Sequence, residues 1–270
     1  MGVQARRREV APRRVFRTAL GTAFLLFAWL VLLSFGSSVA LAATGDPESL
    51  VKEGDKLYVN RANLANVTRS NELYLKALDA RPNYYEALWR LSRGYKWLGD
   101  KTEKDKLGLY EKSKSYAEKA TEANPKGVKG HYWLAVAIGK WGQTRGILQS
   151  LFMVGPMKKA LDETLELDPK YAPAYHVLEE LYRLVPGWPL SIGDKNKALE
   201  SALKSVQYGP TSTTHWVGLG NAYIALGKYD KAREALQHAI DMPADPNDDV
   251  ADPQGDKNDA RDLLKDIAGK

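Results

Sequence analysis

Residues 216–239 read WVGLGNAYIALGKYDKAREALQHA and decide the fold class of the chain. Large apolar residues recur at helical spacing on both sides of Gly227, and small residues stand where two helices would approach each other closely. This pattern predicts an antiparallel pair of helices. One pair cannot bury its own apolar face, so we expect further pairs along the chain. The positions that define the pattern are Trp216, Leu219, Gly220, Tyr223, Gly227, Tyr229, Ala232, Leu236 and Ala239.

A ladder of prolines indicates where the further pairs end. Proline cannot continue a helix and is favoured just past its end. Four prolines each follow an alanine-rich or leucine-rich stretch and precede a new apolar repeat; they are Pro82, Pro125, Pro169 and Pro210. Four units follow from this ladder, and a weaker fifth unit precedes them from Leu50 onward.

The repeated pattern identifies the chain as a member of the tetratricopeptide repeat class, in which antiparallel helix pairs stack into a solenoid. We therefore predict an all-α solenoid of about five repeats over residues 44–243. The prolines are spaced 43, 44 and 41 residues apart, whereas an unadorned repeat has about 34 residues. The excess residues of the middle repeats either lie between the two helices of a unit or lengthen those helices.

Two of these expected inter-helix insertions are apolar, Gly146–Pro156 and Val185–Gly193. Large exposed apolar patches are uncommon in monomers, so we expect the insertions to pack against neighbouring repeats. The alternative is that they contact a partner. In either case, the side chains of the insertions expected to make the contacts are Leu148, Leu151, Phe152 and Trp188.

Residues 1–43 have the pattern of an export signal. Six arginines and one glutamate precede an uncharged run from Thr18 to Ala43, and Ala40–Leu41–Ala42 has the form of a signal-peptidase site. We therefore expect a periplasmic or secreted protein. The apolar run is also long enough to span a bilayer, so an uncleaved inner-membrane anchor that leaves the protein facing the periplasm is the alternative.

The net charge of +6 comes mostly from this N-terminal stretch, because 33 basic and 32 acidic residues remain outside residues 1–42. A nearly neutral chain offers no electrostatic case for nucleic-acid binding. The chain has no cysteine, so disulfides cannot contribute to its stability. No nucleophile motif, phosphate-binding glycine loop or close pair of metal ligands occurs, and we expect neither enzymatic activity nor a metal or cofactor.

The C-terminal residues divide into two parts. Residues 244–259 contain six aspartates together with prolines and asparagines, and this composition predicts an acidic loop. Asp245, Asn247 and Asp249 are spaced like calcium ligands, but Val250 replaces the glycine that such a loop requires. Residues 260–270 predict a short helix whose polar face caps the array.

A closer family resemblance is carried by strings in the middle repeats. These strings resemble bacterial relatives of the regulator of microtubule dynamics family and the tetratricopeptide component associated with TRAP-type transporters. The second resemblance implies an exported protein that works beside a periplasmic solute-binding subunit. The strings are His131–Ala135, Arg145–Leu148, Leu165–Tyr171, Ala174–Leu178 and Val185–Asp194.

First helices of stacked repeats line the concave face of such a solenoid, so the polar side chains between packing positions point into a groove. Basic and aromatic residues predominate there, which suits an extended acidic peptide or a ligand with a carboxylate. A solvated face with aromatic packing is the alternative. The candidate groove residues are Trp89, Arg93, Lys96, Trp97, Lys129, Tyr132, Lys140, His176, Arg183 and Asn221.

These observations predict a non-catalytic scaffold or adaptor of the cell envelope that binds a protein or peptide partner. The alternative is an accessory subunit that handles a ligand for the solute-binding protein of a TRAP-type transporter. Contact with the membrane is expected only through the N-terminal segment, if that segment is not cleaved.

Overall fold

The computed structural model describes residues 45–248 and 250–270, so the expected export signal lies outside the described residues. Eleven α-helices occur in the described part, and the first ten form five antiparallel pairs, which confirms the all-α solenoid. The helices are α1 (Pro47–Val59), α2 (Leu64–Ala80), α3 (Tyr85–Lys101), α4 (Lys106–Ala123), α5 (Val128–Thr144), α6 (Ile147–Leu167), α7 (Ala172–Leu184), α8 (Lys195–Tyr208), α9 (Thr213–Ala225), α10 (Tyr229–Asp241) and α11 (Pro253–Asp266).

The excess residues of the middle repeats are placed in two different ways. In the second and third repeats they lengthen the helices, since α4 has 18 residues and α6 has 21, against 13 in α10. In the fourth repeat they form the connection between Leu184 and Lys195. Both arrangements that the proline spacing allowed therefore occur in this chain.

The expectation of an inter-helix insertion at Gly146–Pro156 is wrong, because α6 begins at Ile147 and includes Pro156. The chain reverses direction over Arg145 and Gly146 alone. Gly146 has a φ of 96°, a left-handed conformation that glycine adopts without a steric penalty. The leucines, methionine and phenylalanine that follow are helix-compatible residues and continue into the second helix of the repeat.

The expectation that the apolar insertions pack against neighbouring repeats is also wrong for three of their four named side chains. Leu148 is 75% exposed, Phe152 is 73% exposed and Trp188 is 91% exposed, while Leu151 is half-buried. The side chains of α6 that do pack are on its other face, where Val154, Ala160 and Leu161 are buried. The start of α6 and the α7–α8 connection therefore leave apolar side chains in contact with solvent.

Paired helices approach each other so closely that glycine is required at the contact. A Cβ atom on Gly220 would lie 2.5 Å from Cδ2 of the fully buried Leu236. A Cβ atom on Gly54 would lie 2.4 Å from the ring of Tyr74 in the first repeat. These glycines set the distance between the two helices of their repeats.

The C-terminal helix begins earlier than the sequence indicated, at Pro253 rather than at Ala260. Asp252 caps its N-terminus by accepting a hydrogen bond from Gly255 N, and proline is well suited to the first turn. Ala260 and Ile267 are buried against Val217 and Leu236 of the last repeat, so α11 closes the array. In the described part of the chain, none of the helices has the length and apolarity needed to cross a membrane.

Gly220→Ala should destabilise the last repeat, because the added methyl group overlaps the Cγ and Cδ2 atoms of Leu236. We expect the free energy of unfolding to fall by about 1–3 kcal/mol. Gly139→Ala is the matched control, since its Cβ would meet only the flexible end of Met157, with Sδ at 3.1 Å, and should change stability by less than about 1 kcal/mol. Urea unfolding followed by circular dichroism measures both, and equal effects would contradict the close-contact argument.

Glu179 makes stability depend on pH. Its side chain is fully buried, and burial, outweighing the adjacent Arg183, raises its pKa to about 7. The folded state then binds a proton that the unfolded state releases at a pH near 4.5, so unfolding free energy should fall as pH rises from about 4.5 to about 7.

Glu179→Gln should remove this part of the pH dependence. Relative to the variant, the wild-type chain should lose on the order of 3 kcal/mol of unfolding free energy between pH 4.5 and pH 8. Urea midpoints at both pH values measure the difference, and the subtraction cancels other titrating groups. Parallel pH profiles for the two proteins would contradict the assignment.

Candidate functional site

A cluster of charged side chains lies in the middle of the concave face, on three successive first helices. Lys96 and Asp100 of α3 pair at 2.7 Å, Lys140 of α5 lies 3.8 Å from Asp100, and His176 and Glu180 of α7 lie 4.0 Å apart. We call these five residues the central charge cluster. They line a cavity of about 250 Å³. Three sequence-predicted residues, Lys96, Lys140 and His176, are thus brought together.

Burial and neighbouring charges shift the pKa values of the groups in this cluster. Burial alone would raise the pKa of Asp100, but Lys96 and Lys140 outweigh it and hold that pKa below its ordinary value. Burial also lowers the pKa of His176 against the opposing effect of Glu180. At pH 7 the cluster therefore holds two ammonium groups, Lys96 and Lys140, balanced by the carboxylates of Asp100 and Glu180, beside a neutral imidazole.

A second pocket on the same face lies towards the N-terminal end of the solenoid. It is lined by aromatic rings, cations and the carboxylate of Asp55, which pairs with Arg93 at 3.3 Å, and it encloses about 360 Å³. The Lys129 ammonium lies 4.2 Å from the centre of the Trp89 ring, and the Arg93 guanidinium lies 3.7 Å from the centre of the Tyr58 ring. We call Tyr58, Arg61, Trp89, Arg93 and Lys129 the basic–aromatic pocket. Such a surface suits a carboxylate or another anionic group.

Not every predicted residue is accessible in the groove. Trp89, Trp97 and Tyr132 are buried and form its floor rather than open contact surfaces, so the alternative of aromatic packing holds for them. Arg93 is also buried, with 3% exposed, and pairs with Asp55 at 3.3 Å. Arg183 lines neither cavity and pairs with Glu179. Asn221 is half-buried and also lies outside both cavities. In the described ranges, no three His, Asp or Glu side chains come together as a metal site would require.

Arg61 is a residue of the candidate site that the sequence did not indicate. It lies in the α1–α2 connection, and its side chain is buried, with 8% of the residue exposed. Its Nη2 atom donates to the backbone oxygen of Asp248 at 2.7 Å and to that of Ala251 at 2.6 Å. The guanidinium also lies 5.2 Å from the centre of the Trp97 ring. A buried cation is thus held by carbonyl oxygens that come from the far end of the chain.

The acidic residues expected to form a solvated loop instead cross the concave face. Lys101 at the end of α3 pairs with Asp252, and Thr213 and Thr214 of α9 donate to Asp256 at 2.5 and 2.7 Å. Ala251 is buried with 1% exposed. We call residues 244–248 and 250–252 the groove segment. The only signal for its position in the sequence is that an acidic stretch follows a solenoid with a basic groove.

Burial raises the pKa of the carboxylate in the first turn of α11. It raises the pKa of Asp256 to about 6, although the hydroxyl groups of Thr213 and Thr214 oppose the shift. Asp245 lies at the exposed end of the segment and behaves in the opposite way, because hydrogen bonds from Asn247 and Thr211 lower its pKa. The environment therefore becomes less hydrated from Asp245, near the start of the groove segment, to Asp256 in the first turn of α11.

Two family profiles match this chain. The family described as Regulator of microtubule dynamics protein 1-3 matches residues 50–181, and the tetratricopeptide repeat matches residues 216–242. Regulator of microtubule dynamics protein 3 of Rattus norvegicus is 27% identical over 244 residues, which cover 81% of this chain and 51% of that protein. Regulator of microtubule dynamics protein 1 of Bos taurus is 28% identical over 142 residues, which cover 52% of this chain and 43% of that protein.

The chain therefore spans about half of the length of these relatives, or less. Among solved structures, a thermophilic tetratricopeptide protein from Thermus thermophilus is similar with a TM-score of 0.63 and 19% identity, covering 81% of this chain and 99% of that one. That similarity concerns the fold alone. The chain thus contains a tetratricopeptide repeat at residues 216–242 within a solenoid of five helix pairs, and its residues 50–181 match the regulator of microtubule dynamics family.

Proposed function

We propose that this protein is a non-catalytic adaptor that binds an acidic, extended segment of a partner protein in its concave groove. Tetratricopeptide solenoids typically serve as protein–protein interaction scaffolds. The observation that carries the proposal is the convergence of Lys96, Lys129 and Lys140 on one face, above buried aromatic rings. Cations on successive repeats can each contact a different position of an extended chain, whereas an isolated surface lysine contacts only one position.

The exposed apolar side chains offer a second contact for the same partner. Leu148 and Phe152 of α6 are joined by Leu184 at the end of α7, and all three are exposed. Leu184 lines a small cavity of about 70 Å³ together with Met153 and Met157. Flexible methionine side chains adapt readily to a partner. In this proposal the groove provides recognition of charge, and the apolar side chains add buried surface to the complex.

We place this activity in the cell envelope. The support is the sequence of residues 1–43, with its basic start, its uncharged run and Ala40–Leu41–Ala42. The match to proteins named for microtubule dynamics supports a relationship over residues 50–181. Because this chain spans only about half of such a relative, that name does not identify the partner.

A second candidate function is that of an accessory subunit that handles a carboxylate ligand for a TRAP-type solute-binding protein. The cavity of about 250 Å³ at the central charge cluster favours it, because Lys96 and Lys140 face a volume large enough for a small molecule. Native mass spectrometry of the protein, purified gently from cells, distinguishes the two. A bound carboxylate of defined mass supports the accessory subunit, and its consistent absence supports the adaptor.

Reversing a groove charge should remove the partner. Lys129→Glu and Lys140→Glu each place a negative charge where the partner's acidic segment would lie, and we expect at least a tenfold loss of captured partner, or about 1.4 kcal/mol. Crosslinking in the cell envelope with quantitative mass spectrometry provides the measurement. Lys76→Glu is the matched control, because Lys76 is exposed on the second helix α2 and carries the same charge change.

The partner is defined as the protein captured equally by wild type and Lys76→Glu and lost from both groove variants. If every captured protein persists with Lys129→Glu and Lys140→Glu, the groove is not the binding surface. Added salt should weaken a true groove complex, because exposed charges are screened over about 8 Å at physiological ionic strength.

The export proposal makes a separate prediction. Expressed from its full sequence in a bacterial host, the protein should be recovered in the periplasm with an N-terminus at Ala43, because Ala40 and Ala42 meet the small-residue requirement of signal peptidase. Fractionation and N-terminal mass spectrometry measure this. A full-length chain in the membrane fraction would support the uncleaved anchor, and a full-length chain in the cytosol would contradict export.

A further inference from the structure

The groove segment contacts the solenoid in the way a bound peptide would. Arg61 recognises the segment through two backbone oxygens, those of Asp248 and Ala251. Backbone oxygens are common to all chains, so any extended segment that reaches Arg61 can offer the same acceptors. No described carboxylate lies within ion-pair distance of Arg61, and its Nε atom has no hydrogen-bond partner. A buried cation in this position needs an acceptor-rich occupant beside it.

The charges of the segment and the groove are complementary. The described residues of the segment include three aspartates, Asp245, Asp248 and Asp252, and the groove presents Lys96, Lys101 and Lys140 along its length. Lys101 holds Asp252 directly. The occupant that the groove carries in this structure is therefore acidic and extended, which is the chemistry proposed above for the partner.

The apolar attachment of the segment is small. Ala251 is its buried apolar side chain, and Val250 is half-buried against the core. Ala244, Pro246 and Asn247 are exposed. An attachment made of a few polar contacts and two small apolar side chains opens far more readily than a packed helix.

The segment can leave without unfolding the cap. It is bounded by α10, which ends at Asp241, and by α11, which begins at Pro253. Displacement would remove the N-cap hydrogen bond of Asp252, but the rest of α11 stays attached, because Ala260 and Ile267 are buried on the last repeat and Thr213 and Thr214 hold Asp256. Opening is thus confined to about ten residues, whose ends stay fixed and whose return to the groove is intramolecular.

The segment also leaves much of the groove unfilled. The cavity of about 360 Å³ at the basic–aromatic pocket lies beside Pro246 and Asn247. The cavity of about 250 Å³ at the central charge cluster lies beside Val250 and Asp252. A longer acidic segment with larger side chains would fill both cavities. It would therefore make more contacts with the groove than the groove segment does.

We infer that the groove segment is an intramolecular ligand that occupies the concave groove in the free protein, and that a partner's acidic segment binds by displacing it. The inference rests on the proposed function, because it specifies how access to that same groove is controlled. While it is bound, the groove segment lowers the apparent affinity of the groove for every ligand. Ligands that also fill the volumes left empty by the segment are therefore favoured.

Ala251→Arg tests the inference in the full-length chain. A long charged side chain does not fit where Ala251 is buried, so the segment should be expelled while every groove residue is retained. Ala244→Arg is the matched control, because it makes the same change at an exposed position of the same segment. The probe is a synthetic peptide with the sequence of residues 242–253, labelled with a fluorophore and measured by anisotropy.

We expect the peptide to bind Ala251→Arg at least tenfold more tightly than it binds wild type or Ala244→Arg. A peptide with asparagine in place of each aspartate should bind weakly to all three. Adding Arg61→Ala to Ala251→Arg should abolish peptide binding if Arg61 anchors the occupant. Equal peptide affinity for wild type and Ala251→Arg would overturn the inference.

Hydrogen–deuterium exchange of the wild-type chain keeps the inference testable if Ala251→Arg does not fold. Residues 244–252 should exchange much faster than α9 and α10, and excess unlabelled peptide should accelerate them further by keeping the segment out of the groove. Exchange as slow as that of α9 and α10, unchanged by peptide, would show that the segment is a permanent part of the fold.

The experiments separate failure of the inference from failure of the proposed function. If Ala251→Arg and wild type capture the crosslinked partner equally, while Lys129→Glu and Lys140→Glu lose it, the groove binds the partner but the segment does not control access. If none of the groove variants changes capture, the proposed function itself fails.

Discussion

The close approach of the two helices in each repeat is the constraint on which the rest of the structure depends. Where Gly54 meets the ring of Tyr74 and Gly220 meets Leu236, there is no room for even one methyl group. At this separation the second helices form the outer layer, and the first helices are left side by side on the concave face. Because α3, α5 and α7 are neighbours there, Lys96, Lys140 and His176 come together although they are far apart in sequence.

The concave face combines two properties that a chain-binding surface needs. Its floor is rigid, since Trp89, Trp97 and Tyr132 are buried, and the cations above that floor are held by neighbouring carboxylates such as Asp100. Preorganised cations bind an anionic chain with a smaller loss of side-chain entropy than flexible surface lysines do. The same carboxylates keep the groove from being uniformly basic, which limits nonspecific attraction of polyanions.

Local patterns in the sequence were sufficient for the fold but not for the groove's contents. The pattern around Gly227 and the proline ladder predicted the helix pairs correctly because the spacing of apolar residues and the ends of helices are local properties. Pro156 was misleading, since a proline that usually marks a helix end lies inside α6. Arg61 and the groove segment escaped prediction because Arg61 and Asp248 are 187 residues apart, and the acidic composition alone is typical of a solvated loop.

The contact between Arg61 and the segment also changes how the array should respond as a whole. In an open solenoid each repeat contacts only its neighbours, so the terminal repeats fray independently and unfolding spreads along one dimension. Here the α1–α2 connection is bonded to the residues just before the closing helix, and Lys101 adds a second link to them. While the groove segment occupies the groove, the first repeat is thus linked to the last, and displacement of the segment would let the two ends of the solenoid fray independently again.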